Sequence, residues 1–224
     1  MVRLASQPAF TPWLGDGPDS DAAAERERLG LPDRYLVYFG RYDVRHDLST
    51  LLQALARLAP TPRPRGLTPG SAWPPRVLLV GASPDDRAGL ARAALRFGAA
   101  DALAYAPGLP PERLAALVRG ARATILPAVS DAAGLPVLDS LAAGVPVIGS
   151  GVGGLPELVG TAGIVVEPRD PDRLAEAIRT AWADERVHRR LSELARERAA
   201  SGVRTWADVA RETRRIYAEV GIRP

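Results

Sequence analysis

Two carboxylates and an arginine stand beside glycines in this chain. Asp131 and Asp139 lie eight positions apart in SDAAGLPVLDSLAAGVPVIGSGVGGLPELVG (130–160), with Gly134 between them and Gly153 and Gly154 beyond. Arg41 directly follows Gly40 in FGRYDVRHDL, and His46 comes five positions later. Glycine lets a ligand approach the main chain and allows tight turns. A helix that starts beside such a turn offers unpaired amides and the positive end of its dipole to an anion, above all a phosphate. A planar guanidinium holds the same kind of group through paired, charge-assisted bonds. Asp131 falls at the mouth of the helix expected from about Leu135, and Asp139 more than a turn inside it. The two carboxylates therefore reach different parts of one extended ligand.

Each residue also has a plainer role open to it. Arg41 could be an exposed strand-end arginine, Asp139 an exposed helix residue, and Asp131 a cap for the helix near Gly134. His46 could belong to a helix start capped by Asp47. His188 lies in a charged helix and is expected to be solvated. The apolar stripe of the last helix, with Trp206, is expected to be core.

Composition narrows the chemistry. The chain has 224 residues, and all 29 positions counted as Lys or Arg are arginine. Without lysine there is no P-loop lysine, Schiff base or lysine general base. Without cysteine there is no disulfide, Cys-ligated zinc or thiol nucleophile, which fits the cytoplasm. Asparagine is missing too; both Lys and Asn use A/T-rich codons, so a GC-rich genome explains their loss. With only two histidines, no metal site is expected. A net charge of +3 arises from arginines interleaved with acids, as on solvated helix faces. Aromatic residues make up 5%, without basic–aromatic alternation, so no nucleic-acid partner is expected. No run approaches a membrane span, and the N-terminus lacks the apolar stretch of a secretion signal.

The elements that must position these residues alternate. Residues 1–20, rich in Pro, Gly and Asp, read as a linker, and 21–224 as one domain. A short helix is expected from Asp21 to Leu29, a strand at 35–39, a helix over 48–58 and a strand at 77–81. A helix near 86–97, a strand at 103–105, a helix near 112–118 and a strand at 123–126 follow. Then come a helix over 135–143, strands at 145–148 and 164–166, a helix from Asp170–Pro171 through Trp182, and two closing helices. About six short apolar strands separated by helices predict an α/β fold, a doubly wound, Rossmann-like parallel sheet with helices on both faces. Ligands bind such sheets beyond the carboxyl ends of the strands. The loops after 35–39, 123–126 and 145–148 are therefore expected to meet. Within the last, Gly149, Gly151 and Gly154 fit G-x-G-x-x-G, with Glu167 near the usual acidic distance. Pro156 and Gly160 leave too little room for the long helix a dinucleotide site requires.

Three segments together, GRYDVRHDLSTLLQAL, SDAAGLPVLDSLAAGVPVIGS and GVGGLPELVG, resemble the C-terminal domain of family 4 (group 1) glycosyltransferases. The resemblance runs in order from Pro8 to Tyr217. It implies one half of a two-domain GT-B fold and a retaining, metal-independent transferase that takes a nucleotide-diphosphate sugar as substrate and needs no cofactor. Arg41, after Gly40, would hold the donor diphosphate. Asp131 stands where the family has a Glu that contacts the transferred sugar, and Asp139 where it has a Glu on the ribose hydroxyls. Gly134, Leu135 and Pro136 match the helix start beside the phosphates, Gly153, Gly154, Pro156 and Glu157 the next glycine-rich turn, and Pro107 to Leu109 a loop near the base. The chain departs from the pattern in carrying Asp for both Glu residues, Ala132-Ala133 for Gly-Phe, and His46 for the family's phosphate lysine. The acceptor-binding N-terminal domain is absent from the sequence, so it would be a missing half or a separate chain. Any peripheral membrane association would run through that half, and the present chain alone is expected not to catalyse transfer. Two rival readings are a non-catalytic nucleotide-sugar-binding or interaction domain and a sugar-nucleotide epimerase on the same fold.

Overall fold

The computed structural model describes residues 19–67, 71–106, 108–131, 134–201 and 206–221. The linker expected over residues 1–20 lies outside them apart from its last two residues. Among the described residues there are six strands: β1 (Leu36–Phe39), β2 (Val77–Val80), β3 (Leu103–Tyr105), β4 (Ala123–Leu126), β5 (Val147–Ser150) and β6 (Gly163–Val166). The helices are α1 (Asp19–Arg28), α2 (Leu48–Leu58), α3 (Pro84–Arg96), α4 (Pro111–Arg119), α5 (Leu135–Ala142), α6 (Leu155–Val159), α7 (Pro171–Ala183), α8 (Glu185–Ser201) and α9 (Trp206–Glu219). All strand pairs are parallel, in the order β3-β2-β1-β4-β5-β6.

Strands such as LVYF and VLLV are apolar at successive positions because helices cover both faces. Leu36 and Tyr38 point to the side where α2, α3 and α7 pack, around the fully buried Trp182. Tyr35 and Val37 point to the other, where Leu117 of α4 lies, and Val137 and Leu141 of α5 continue that layer beneath β4 and β5. Caps start the helices where the sequence carries cap residues. Asp47 accepts the Thr50 N–H at α2, Ser83 and Asp86 form a reciprocal capping box at α3, and Asp170 caps α7 ahead of Pro171. β5 starts two residues later than expected, since Pro146 has no N–H to give a ladder.

The strand order decides where ligands can bind. The chain lays β1, β2 and β3 outward in one direction, then returns to place β4 on the free side of β1. At this reversal the carboxyl ends of β1 and β4 flank a crevice, the usual ligand position in open α/β sheets.

Two expectations need correction. The apolar stripe of α9 is not core among the described residues: Tyr217 and Val220 are exposed, Val209 and Ile216 only half-buried, and no other described element packs extensively against the helix. The Trp206 side chain lies outside the described residues. His188 is not solvated either. It is half-buried beside Arg122 and Glu185, and its pKa is pushed down to about 4, first by burial and then by the Arg122 charge.

Candidate functional site

Glycine ends both central strands on the β1 side of the crevice. Gly40 follows β1 with φ 151°, and its N–H donates to the Val80 carbonyl at 3.0 Å. A Cβ there would lie 2.8 Å from His46 Cδ2 and 2.8 Å from the Tyr38 hydroxyl. Gly81 follows β2 with φ 96°, where a Cβ would come 3.1 Å from the Gly40 carbonyl oxygen. The two strand exits thus pack bare backbone against bare backbone.

The loop after β1 is folded around Asp43. Its Oδ1 accepts the N–H groups of Arg45 at 2.9 Å and His46 at 3.0 Å, and lies 2.7 Å from His46 Nδ1. Partial burial raises the Asp43 pKa, but these bonds and the imidazole outweigh it and draw the carboxyl down to about 2. An ionised carboxylate can only accept, so Nδ1 carries the proton it shares with Asp43. The Tyr38 hydroxyl, whose pKa burial pushes up, donates to the carbonyls of Arg41 and His46 from beneath.

The loop after β4 is tied to this one, since the Val129 N–H donates to the Arg45 carbonyl at 2.8 Å. Asp131 Oδ1 accepts the Gly134 N–H at 2.5 Å, a bond to the residue just ahead of α5 rather than a helix cap, since α5 starts after Gly134 without a side-chain cap bond. Gly134 has φ 58°, and a Cβ on it would lie 2.2 Å from Leu158 Cδ1. What requires glycine there is the turn and the packing of α6 beneath it. A Cβ on Gly153, with φ 53°, would strike the Asp131 carbonyl oxygen at 2.4 Å, so the turn after β5 lies directly against Asp131. Gly154 differs: its φ is −86°, and a Cβ there would meet nothing within 4 Å.

These loops enclose a cavity of about 210 Å³, lined by Phe39, Gly40, His46, Val80, Gly81, Leu126, Pro127, Ala128, Asp131 and Pro136. Among the sequence-predicted residues it brings together Gly40, His46, Asp131 and Pro136. Arg41 lies outside it, largely exposed, with Nε 3.7 Å from Asp86 Oδ2. Leu135 and Asp139 are half-buried on α5 away from the cavity lining, and Gly153 and Gly154 are exposed on the turn after β5. The loop expected to lie near a base includes Pro107, and the Ala132-Ala133 pair stands between Asp131 and Gly134; those three residues lie outside the described ones. A wider, more open hollow runs along α1 at Ala23, Arg26, Glu27, Leu31 and Asp33, with the Arg26–Asp33 ion pair at its surface.

Sequence reasoning missed Gly81, Asp43 and Asp86. Gly81 was detectable, since it ends VLLV as Gly40 ends YLVYF. Asp43 and Asp86 carried no signal separating them from other loop and helix-start acids. The dinucleotide fingerprint is excluded as expected: Gly154 opens α6, which is only five residues long.

Compared with known proteins, residues 19–198 match the family of group 1 glycosyl transferases. The chain belongs to that family. It is 37% identical over 166 residues to a D-inositol 3-phosphate glycosyltransferase from Acidothermus cellulolyticus, covering 70% of this chain and 36% of that one. Sucrose-phosphate synthase from Thermosynechococcus elongatus superimposes with a TM-score of 0.72 at 28% identity, over 97% of this chain and 52% of that one. Anabaena HepE, solved in complex with UDP and glucose, gives a TM-score of 0.74 at 20% identity, over 95% of this chain and 55% of that one. The group 1 chain described here thus spans about half, or less, of the length of these three proteins.

Proposed function

We propose that this chain is the donor-binding half of a retaining glycosyltransferase, holding a nucleotide-diphosphate sugar in the cytoplasm for transfer to an acceptor hydroxyl. The observation that carries the reading is the convergence of Gly40, Gly81, His46 and Asp131 on one cavity at the strand-order reversal, in a member of this family. The bare backbone at the two glycines admits a diphosphate. His46 and Arg41 supply cations to its leaving-group charge, and no metal is assigned. Asp131 faces the sugar, and Asp139, one turn into α5, reaches the ribose. That HepE was solved with UDP supports a uridine nucleotide as the first one to try. At about 210 Å³ the cavity is smaller than the ~300–1,000 Å³ usual for a ligand pocket. The second wall comes from an acceptor-binding half in the same or another chain, through which any membrane contact would also run.

A second reading, a nucleotide-sugar-binding domain without catalysis, is favoured by one feature. Both predicted anchors are already engaged, Arg41 with Asp86 and Asp131 with the Gly134 amide. Calorimetry of the chain with UDP, GDP and ADP, and with their glucose conjugates, tests the first reading. Binding of one nucleoside diphosphate is expected, weakened by Asp139→Ala, whereas Asp131→Ala lowers affinity only for the sugar conjugate. Absence of binding to all of them removes the reading, and sustained glycosyl transfer by this chain alone removes its half-site character.

A further inference from the structure

Asp43 is not one of the residues expected at a donor site, yet it is held firmly against one that is, His46. Two backbone N–H groups clamp its carboxylate, and it takes His46 Nδ1 at 2.7 Å. The other edge of the ring, Cδ2, rests against Gly40, where even a methyl group would come within 2.8 Å. One ring nitrogen is thus committed and the ring plane is set by packing. His46 lines the cavity, so the nitrogen left for a ligand is Nε2.

We propose that Asp43 is a positioning residue for His46: it reserves Nδ1, offers Nε2 to the donor diphosphate, and balances the proton that Nε2 takes up when the dianion binds. The proposal rests on the donor-binding reading above. In the neutral ring with Nδ1–H toward Asp43, Nε2 presents a lone pair, which repels a phosphate oxygen. Protonated, it becomes a charge-assisted donor. The imidazolium then lies between two anions, the carboxylate and the phosphate, and opposite charges favour the protonated form.

The other charged or titratable groups around His46 do not reverse this. Asp47 adds a second carboxylate beside it at the start of α2, and Asp131 a third on the cavity wall. Arg45 is 72% exposed and turned toward Asp43 at 3.6 Å. Arg41 is drawn toward Asp86, and Tyr38 contributes a neutral hydroxyl. A lysine brings a permanent charge to such a place. An imidazole that is neutral before binding would instead gain its charge from a proton taken up with the ligand.

The test is calorimetry of the full chain with UDP at about pH 8, above the titration of a terminal phosphate near pH 6, in buffers of different ionisation enthalpy. The parent should take up protons on binding UDP, and His46→Lys close to none. Asp43→Asn should bind roughly tenfold more weakly, the ~1.4 kcal/mol expected for one lost charge-assisted contact, with uptake less than half the parent's. The chain has two histidines, so long-range nitrogen NMR of the free parent resolves both rings and needs no variant to fold. His46 should show the Nδ1–H tautomer, becoming imidazolium with UDP. UDP binding without proton uptake, Asp43→Asn matching the parent, or an Nε2–H tautomer in the free protein would each overturn the proposal. If no nucleoside diphosphate binds, the donor-binding reading fails by itself, and the tautomer still decides whether Asp43 sets the ring.

Discussion

A Cβ at position 40 would sit 2.8 Å from both the His46 ring and the Tyr38 hydroxyl, whereas one at position 154 would meet nothing. The same substitution should therefore read out differently at the two sites. Gly40→Ala combines a backbone conformation side chains rarely adopt with displacement of the ring, and should cost about 1–3 kcal/mol of stability, lowering the melting temperature. Gly154→Ala should leave melting unchanged, because neither its φ nor its surroundings oppose a methyl group. If a ligand passes close to that backbone, nucleotide-sugar affinity alone should fall, by tenfold or more. Unchanged affinity would mean that position 154 lies off the binding path. At this scale the sequence was readable only in part. The resemblance placed Gly40, His46, Asp131 and Pro136 in one site, and the four line one cavity. That Arg41 turns toward Asp86, or that Gly134 is demanded by Leu158, depends on a neighbour over forty residues away in α3 for Arg41 and on one in α6 for Gly134, and no local pattern encodes either.

Elements were more legible than residues because their signals are periodic. Runs of apolar residues between helical patterns located the six strands of the described residues, and Asp170 ahead of Pro171 located the start of α7, whereas α3 starts at Pro84, two residues before its expected place. The strand-order reversal explains why the loops after β1 and β4 meet: parallel crossovers of one hand leave few arrangements open. The register of the last pair was not legible. Gly163 begins β6, and a Cβ there would lie 2.0 Å from the Val147 carbonyl oxygen and 2.7 Å from Val159 Cγ1. Both neighbours are fixed, one by the β5 ladder and the other by α6. Gly163→Ala should therefore push β6 off the sheet edge and cost on the order of 2–4 kcal/mol. Chemical denaturation measures this, and a loss below about 0.5 kcal/mol would show that the edge gives way freely.

At the scale of the molecule, acid and mobility are coupled to places remote from the cavity. His188 packs near Arg122, which bonds Glu185, as Arg34 also does. Burial first, and Arg122 second, bring its pKa down to about 4, against an ordinary value near 6.5. A group depressed in the folded state contributes stability that is complete above the unfolded value and is lost as pH falls toward the folded one. Stability should thus decline between about pH 6.5 and pH 4, by at most about 3 kcal/mol from this residue. His188→Gln should flatten that part of the profile, and an unaltered slope would assign it elsewhere. The exposed face of α9 has a consequence of a different kind. Among the described residues little packs against it, and a helix so held opens at almost the cost of melting itself, independently of the sheet it follows. In deuterated solvent its amides should exchange within seconds to minutes, close to the rates of a free peptide. Those of β1 and β4 should exchange only when the whole fold opens, so the molecule divides into a slow body and a fast tail at Trp206–Glu219.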